Sequence, residues 1–499
     1  MHPQLSESTL RLLFLCLGMG TLFAYNAFLS CVDYFEAVNP DVNVSSQMVS
    51  CLLTTLLITT IMLLPISHGK QQSTDSSSSS FLSSPANRTT LGFALTVVLL
   101  LALILPKTSD PSITLLNILS SGLGLADALA QSGIYVMAAS YGNPIYTAAV
   151  VIGSALSGLV VSMLRLVTRK IWESEVEGDD GLRNGAMALL WLVWLFNGAL
   201  VFMSRWLKKD VEQMEETRRI DKEREVELGE VERNSQSMEY EYGSNAESPY
   251  QSRSRSPAKS QHQNVSLPSE HVSKDRLSWY TFYWTTFQQQ RKPIISSFFN
   301  FFITLSLFPS TVASIPSSEG WITLGDWMPV VLVAVFNGGD FLGRIPLWFE
   351  QGKIYNMVMA RRVVVERCTT TATQDQGSDK DKSGVETKER IKLNHYNSFI
   401  WYPTFARVVF YPLLILCRLP LEPHPIIHSD IFPVMIVFLL GISNGFIQCA
   451  NFTVAPSLET CEKRRNATSL LLLLSIYLGL MLGAYFGLVV DAIVTSVEI

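Results

Sequence analysis

The apolar residues of this chain are gathered in long unbroken runs, and that distribution constrains what it can fold into more than any motif does. Windows such as 189–203, 328–348 and 470–490 offer water almost no polar face, and each approaches the length needed to cross a hydrocarbon layer about 30 Å thick. The 499 residues have a mean hydropathy of only +0.25 because two long, charged, Ser-rich segments dilute these runs. A window of about 19 residues moved along the chain predicts about eleven helical spans. They fall near 10–32, 45–66, 90–106, 112–139, 144–167, 185–206, 293–314, 327–349, 397–419, 430–455 and 467–490. The first is too long for the apolar stretch of a secretory signal and carries Asn26 and several glycines, so it is expected to remain as a span. The expected class is an all-α, polytopic membrane protein.

Two polar segments interrupt the spans. Residues 207–292 are charged and then rich in Ser, Gln and Arg, and 350–396 are similar, so both are expected to be disordered loops unable to bury a core. Within the first, Glu alternates with Arg and Lys at helical spacing over 208–231, which leaves a helical start open there although the apolar stripe is thin. With an even number of crossings between them, the N-terminus, both long loops and the basic turn at Lys463, Arg464 and Arg465 share one face. That face collects most of the chain's 38 Lys and Arg and is expected to be cytoplasmic. The odd span count then places the C-terminus outside. Among the N-glycosylation sequons, Asn43-Val44-Ser45 falls in an outer loop, which makes Asn43 the candidate acceptor of a glycoprotein. No organelle signal is readable, so the plasma membrane is the default and an internal membrane stays open.

The formal charge of −5 comes from acidic and basic residues mixed in the same loops, which argues against a nucleic-acid surface. The seven cysteines stand singly, with no CxxC and no metal-ligand spacing. No Gly-rich phosphate loop follows a strand, and no Ser/His/Asp cluster is readable. Neither an enzyme nor a metal or organic cofactor is expected.

Polar side chains at membrane depth are costly unless they meet a partner or a wet cavity, so each is a candidate pathway residue. In the eighth span Asn337, Asp340 and Arg344 lie at i, i+3 and i+7 on one helix face, where Asp340 can pair with Arg344 across one turn. The plainer account of that pair is a structural ion pair between helices. In the fourth span Asp127 and Gln131 are four residues apart, and an amide suits the edge of a heterocyclic base. An interhelical hydrogen bond is the plainer account of Gln131. Asp127, if desolvated, could take up and release a proton during transport. The first span places Tyr25 beside Asn26, a stacking surface next to an amide. Gly153, Ser154, Ser157 and Gly158 in the fifth read most simply as tight helix packing.

These residues carry a resemblance. Leu17-Gly18-Met19-Gly20-Thr21-Leu22 followed by Tyr25-Asn26 resembles the Leu-Gly-x-Gly-Thr-Leu-x-Pro-Trp-Asn signature of the equilibrative nucleoside transporter family, with Ala24 in place of Pro and Tyr25 in place of Trp. Phe336-Asn337-Gly338-Gly339-Asp340-Phe341-Leu342-Gly343-Arg344 is similar to that family's Phe-Asn-x-x-Asp-x-x-Gly-Arg element, its most specific motif here. The run from Arg407 through Phe410 and Pro412 to Cys417 resembles the family's Arg-x-x-Phe-x-Pro-Leu-x-x-x-Cys, and Ser443-Asn444-Gly445 its Ser-Asn-Gly.

The resemblance implies a major-facilitator-like architecture of six helices against five, with bundles at 1–206 and 293–499 separated by the 207–292 loop. It implies alternating access, and a substrate site in which Tyr25, Asn26 and Gln131 meet the base while Asp340 and Arg344, with Asn337 nearby, meet the ribose and the gating network. Asp127 stands where many relatives have Gly. The partners implied are nucleosides or nucleobases and the lipid bilayer. Proton coupling through Asp127 or Asp340 stays open, as does facilitative transport. A carrier of another small polar solute, or a non-transporting scaffold or trafficking protein with a carrier-like fold, would share the architecture.

Overall fold

The computed structural model describes residues 5–40, 44–70, 81–105, 111–172, 179–243, 278–308, 310–315, 317, 327–371, 400–418, 427, 429–459 and 461–498. Asn43, the expected glycosylation acceptor, lies outside them. The described elements are helices: α1 (Glu7–Ser30), α2 (Val32–Val38), α3 (Val44–Lys70), α4 (Pro85–Ile104), α5 (Ile113–Ser140), α6 (Pro144–Trp172) and α7 (Asp179–Gly243), then α8 (Trp279–Leu307), α9 (Ser310–Ala313), α10 (Met328–Thr371), α11 (Trp401–Ala406), α12 (Phe410–Leu416), α13 (Ile431–Ser457) and α14 (Glu462–Glu498). Local chemistry sets several starts. Ser6 caps α1 by accepting from the Thr9 amide at 3.2 Å, Ser112 caps α5, and Pro85 opens α4 at a position where a missing N–H costs nothing.

Among the described residues, nine helices are long and apolar enough to cross a membrane. Two more elements occupy the remaining expected positions. α8 packs along α14 but is bent at Gln290, where φ is −107° and ψ 21°, three residues before Pro293. The ninth expected span is the short apolar segment Trp401–Leu416, in which the 3-10 turn Arg407–Val409 joins α11 to α12. The outer surface is apolar, with Phe202 71%, Met62 64% and Ile118 62% exposed, while Asp127, Asp340, Arg344 and Arg407 are buried. That inversion is what a lipid solvent selects.

The two polar segments differ from expectation. Residues 207–292 are helical through Gly243 and again from Trp279, and 350–396 are helical through Thr371. Over 208–231 the Glu to Lys/Arg spacing supports a solvated helix without a broad apolar stripe, and after Pro346 no proline interrupts α10. Met1–Lys208 with Trp279–Ile499 forms one compact unit, and Lys209–Ser278 forms a second, helical through Gly243 among its described residues.

Close backbone approach builds the core of the first unit. α10 and α13 meet at four glycines: a Cβ on Gly339 would stand 2.5 Å from the Phe438 carbonyl, and one on Gly343, Gly441 or Gly445 would collide with the carbonyl of Ile442, Phe336 or Asp340. α1 and α6 meet in the same way at Gly18 and Gly153. Without an aqueous hydrophobic effect between helices, such small-residue contacts carry the packing. Gly343→Val should therefore lower the thermal unfolding temperature of the detergent-purified protein, by an overpacking cost of about 1–3 kcal/mol. Gly198→Ala, inside α7 at a position with nothing within 4 Å, should not lower it and should raise it slightly through helix propensity.

Candidate functional site

The glycine contact between α10 and α13 has a chemical consequence. It brings Asn444 and Gln448, one turn apart on α13, against Asp340 and Arg344, one turn apart on α10. Arg344 Nη2 donates to Asp340 Oδ2 and to Gln448 Oε1, each at 2.5 Å. Asn444 Nδ2 donates to the other carboxylate oxygen, Asp340 Oδ1, at 2.7 Å. Arg344 Nη1 turns away to α6, where it donates to Ser154 Oγ at 2.7 Å and to the Val151 carbonyl. The guanidinium is 3% exposed, and its charge is met by one carboxylate and three neutral acceptors.

The contact between α6 and α10 continues along both helices. Asn337 Nδ2 donates to Ser162 Oγ at 2.8 Å, and Arg169 lies 5.0 Å from the centre of the Trp327 ring. At the opposite end of the helices, Tyr283 of α8 donates to the Leu64 carbonyl of α3 at 3.3 Å, and Arg465 of α14 donates to the Ala139 carbonyl of α5 at 3.2 Å. The N-terminal and C-terminal helices are thus bridged at both ends.

Between these bridges lies a cavity of about 60 Å³. Its polar wall comes from Asp127, Gln131 and Tyr135 of α5, Ser154 of α6, Gln448 of α13 and Tyr477 of α14, with Tyr25 from α1 and Phe301 from α8 among the apolar and aromatic residues. Tyr477 donates to Gln131 Oε1 at 2.8 Å. Gln131 Nε2 and Asp127 Oδ2, both buried, have no hydrogen-bond partner. The wall of the cavity therefore holds an unpartnered amide donor and an unpartnered carboxylate oxygen on residues one helical turn apart.

Of the residues singled out from sequence, Tyr25, Asp127 and Gln131 line this cavity. Asp340 and Arg344 stand behind it, represented at its surface by their partners Gln448 and Ser154. Asn26 and Asn337 are turned to α6, with the Asn26 amide donating to Ser157 Oγ at 2.8 Å. Gly153 is a packing contact with the Leu15 carbonyl, but Ser154 and Ser157 also accept hydrogen bonds from Arg344 and Asn26. Gln448 and Tyr477 were not anticipated. Gln448 had a readable signal, since it repeats the Asn444 position one turn on inside an apolar span, whereas Tyr477 had none.

The chain matches the family described as "Nucleoside transporter" over residues 115–366 and 394–492. It is 24% identical to the "Equilibrative nucleotide transporter 1" of Arabidopsis thaliana over 459 residues, 89% of this chain and 78% of that one. It is 26% identical to the "Equilibrative nucleotide transporter 7" of the same plant over 74% of this chain and 81% of that one. Among solved structures, the major facilitator proton:xylose symporter XylE superimposes with a TM-score of 0.50 at 8% identity, covering 99% of this chain and 97% of that one, which fixes the fold class.

Removing one member of the buried pair leaves the other charge uncompensated. Asp340→Leu should destabilise the purified protein by about 3–5 kcal/mol, and Asp340→Leu with Arg344→Met should recover part of that loss, both read by unfolding in detergent.

Proposed function

Because the chain belongs to the nucleoside transporter family, we propose that it carries nucleosides across a membrane by alternating access, with substrate held in the cavity bounded by α1, α5, α13 and α14. The observation that carries this reading is the pair of unengaged polar atoms on α5, Asp127 Oδ2 and Gln131 Nε2, in a cavity walled by tyrosine and leucine. A flat base can stack on Tyr25 while its edge takes up those two atoms. Tyr477 holds the Gln131 amide so that its NH₂ faces the base. The ribose hydroxyls then lie toward Gln448 and Ser154, where the Asp340 and Arg344 groups are reached by a small shift of those two side chains.

The size of the cavity supplies the mechanism. About 60 Å³ is room for a few water molecules rather than a nucleoside, so substrate enters only when the walls part. We assign the moving bodies to the helices before 207 and those of 293–499, which separate either along α6 and α10 or along the Tyr283 and Arg465 contacts. The excess of Lys and Arg in the loops at the Tyr283 end supports a cytoplasmic position for that end and an outer one for the Trp327 end, and we assign the plasma membrane as the default. Asn26 and Asn337 then act as ties to α6 in this closed arrangement and become available to substrate when α6 withdraws.

Uptake of radiolabelled adenosine, uridine and hypoxanthine into proteoliposomes tests the reading. Saturable uptake by the wild type, reduced at least about tenfold by Gln131→Ala and by Asp340→Ala, is expected, as for loss of a buried recognition group. No uptake of any of the three by correctly inserted protein would sink it in favour of another solute or a scaffold. Uptake that rises on external acidification and loses that dependence in Asp127→Asn assigns inward proton coupling to Asp127. Uptake indifferent to pH makes the carrier facilitative.

A further inference from the structure

Arg407 is 1% exposed and among the largest side chains wholly inside the protein, yet among the described residues no carboxylate touches it. Its Nη1 donates to the Asn300 carbonyl at 2.8 Å and to Asn300 Oδ1, and its Nη2 donates to Thr304 Oγ1 at 2.7 Å and toward the Leu440 carbonyl at 3.4 Å. These neutral oxygens take up its two Nη groups, while Nε is buried without a hydrogen-bond partner, and they leave its charge in place; a guanidinium at membrane depth is costly without an anion to offset it. The carboxylate whose field reaches it is Asp340.

One amide connects the two. Asn444 Nδ2 donates to Asp340 Oδ1 at 2.7 Å, and Asn444 Oδ1 accepts from Asn300 Nδ2 at 3.0 Å and faces Arg407 Nη1 at 3.5 Å. Asp340 therefore has two cations, Arg344 directly on Oδ2 and Arg407 through Asn444 on Oδ1. The other ionisable groups facing it are Tyr135 of α5 and Cys449 of α13, and Tyr411 stands beside Arg407. The two arginines differ in what else they hold. Arg344 reaches across to α6 and has to exchange its α6 partners whenever α6 withdraws, whereas the bonds of Arg407 among the described residues run to α8 and α13.

We propose that Arg407 is a positioning residue of the substrate site: acting through Asn444, it aims the Asp340 carboxylate at the ribose hydroxyls. This rests on the reading of Asp340 as the group that receives those hydroxyls. The test compares KM for uridine and for 2′,3′-dideoxyuridine, which lacks them, in proteoliposomes holding the wild type, Arg407→Gln, Arg407→Lys or Asn444→Ala.

The wild type is expected to favour uridine. Arg407→Gln should raise the uridine KM by about tenfold or more while moving the dideoxyuridine KM by less than about twofold, because the lost binding is specific to the hydroxyls. Asn444→Ala, which cuts the relay but keeps Arg407, should reproduce that collapse of selectivity, and Arg407→Lys should recover part of it. Equal effects on both compounds mean that Arg407 only packs helices, and overturn the proposal. Where Arg407→Gln fails to insert, selectivity retained by Asn444→Ala overturns it equally. A wild type that takes both compounds alike overturns the assignment of Asp340 to the hydroxyls and this proposal with it, whereas intact discrimination in the variants overturns the proposal alone.

Discussion

At the level of the cavity the Arg344 guanidinium, with the Tyr477 hydroxyl on Gln131, bridges the N-terminal and C-terminal helices, and much of the core is arranged so that the guanidinium can do so. A charged group in a lipid-embedded interior needs acceptors converging from several directions, because no water supplies the missing ones. Two come from α10 and α13, Asp340 and Gln448, and two from α6, the Ser154 hydroxyl and the Val151 carbonyl. The α13 acceptor is within reach because four glycines let that helix lie backbone to backbone on α10. On α6, a serine rather than a larger residue at 154 gives the guanidinium both room and an acceptor.

The magnitudes decide which of these contacts yields during transport. The bonds from Arg344 to Asp340 join opposite charges in a buried setting, where breaking one partner costs about 3–5 kcal/mol. Those to α6 end on a hydroxyl and a carbonyl, and a hydrogen bond from a charged donor to such a group is worth about 1.5–3 kcal/mol net. The other contacts between α6 and α10 are weaker still: an amide to serine bond at Asn337 and a cation over the Trp327 ring, each about 1 kcal/mol. Separation along α6 therefore leaves Arg344 with Asp340. The contacts among the C-terminal helices are charge-paired and glycine-tight, and the bonds described across to α6 end on hydroxyls, a carbonyl and an aromatic ring, with no carboxylate among them. That asymmetry is what a pair of rocking bodies requires.

The spans were legible because lipid demands uninterrupted apolar length, and helical periodicity alone placed Asn337, Asp340 and Arg344 on one face. Periodicity did not say what that face would meet. Asn337 and Arg344 both turned to α6, while the cavity surface went to Ser154 and Gln448, which are side-chain partners rather than motif members. Tyr477 lies 346 residues from the Gln131 it contacts, and nothing in a run of leucines around it marks it as different from a core aromatic. The helical extensions through Gly243 and Thr371 escaped for another reason. Over 208–231 charges recur at helical spacing without a broad apolar stripe, so the composition there resembles that of a loop.

The unengaged atoms on α5 connect occupancy to closure. Closing the cavity strips bulk water from Asp127 Oδ2 and Gln131 Nε2, and burying a polar group without a partner costs about 1–3 kcal/mol. On the proposed assignment, a base edge that bonds both atoms as the walls close around it removes that cost, so a loaded carrier closes more readily than it would on a cargo without such an edge. A wholly apolar cavity would close without substrate and with no preference for it. Under that assignment, the two buried, unpartnered atoms of Asp127 and Gln131 make closure depend on the chemistry of the cargo.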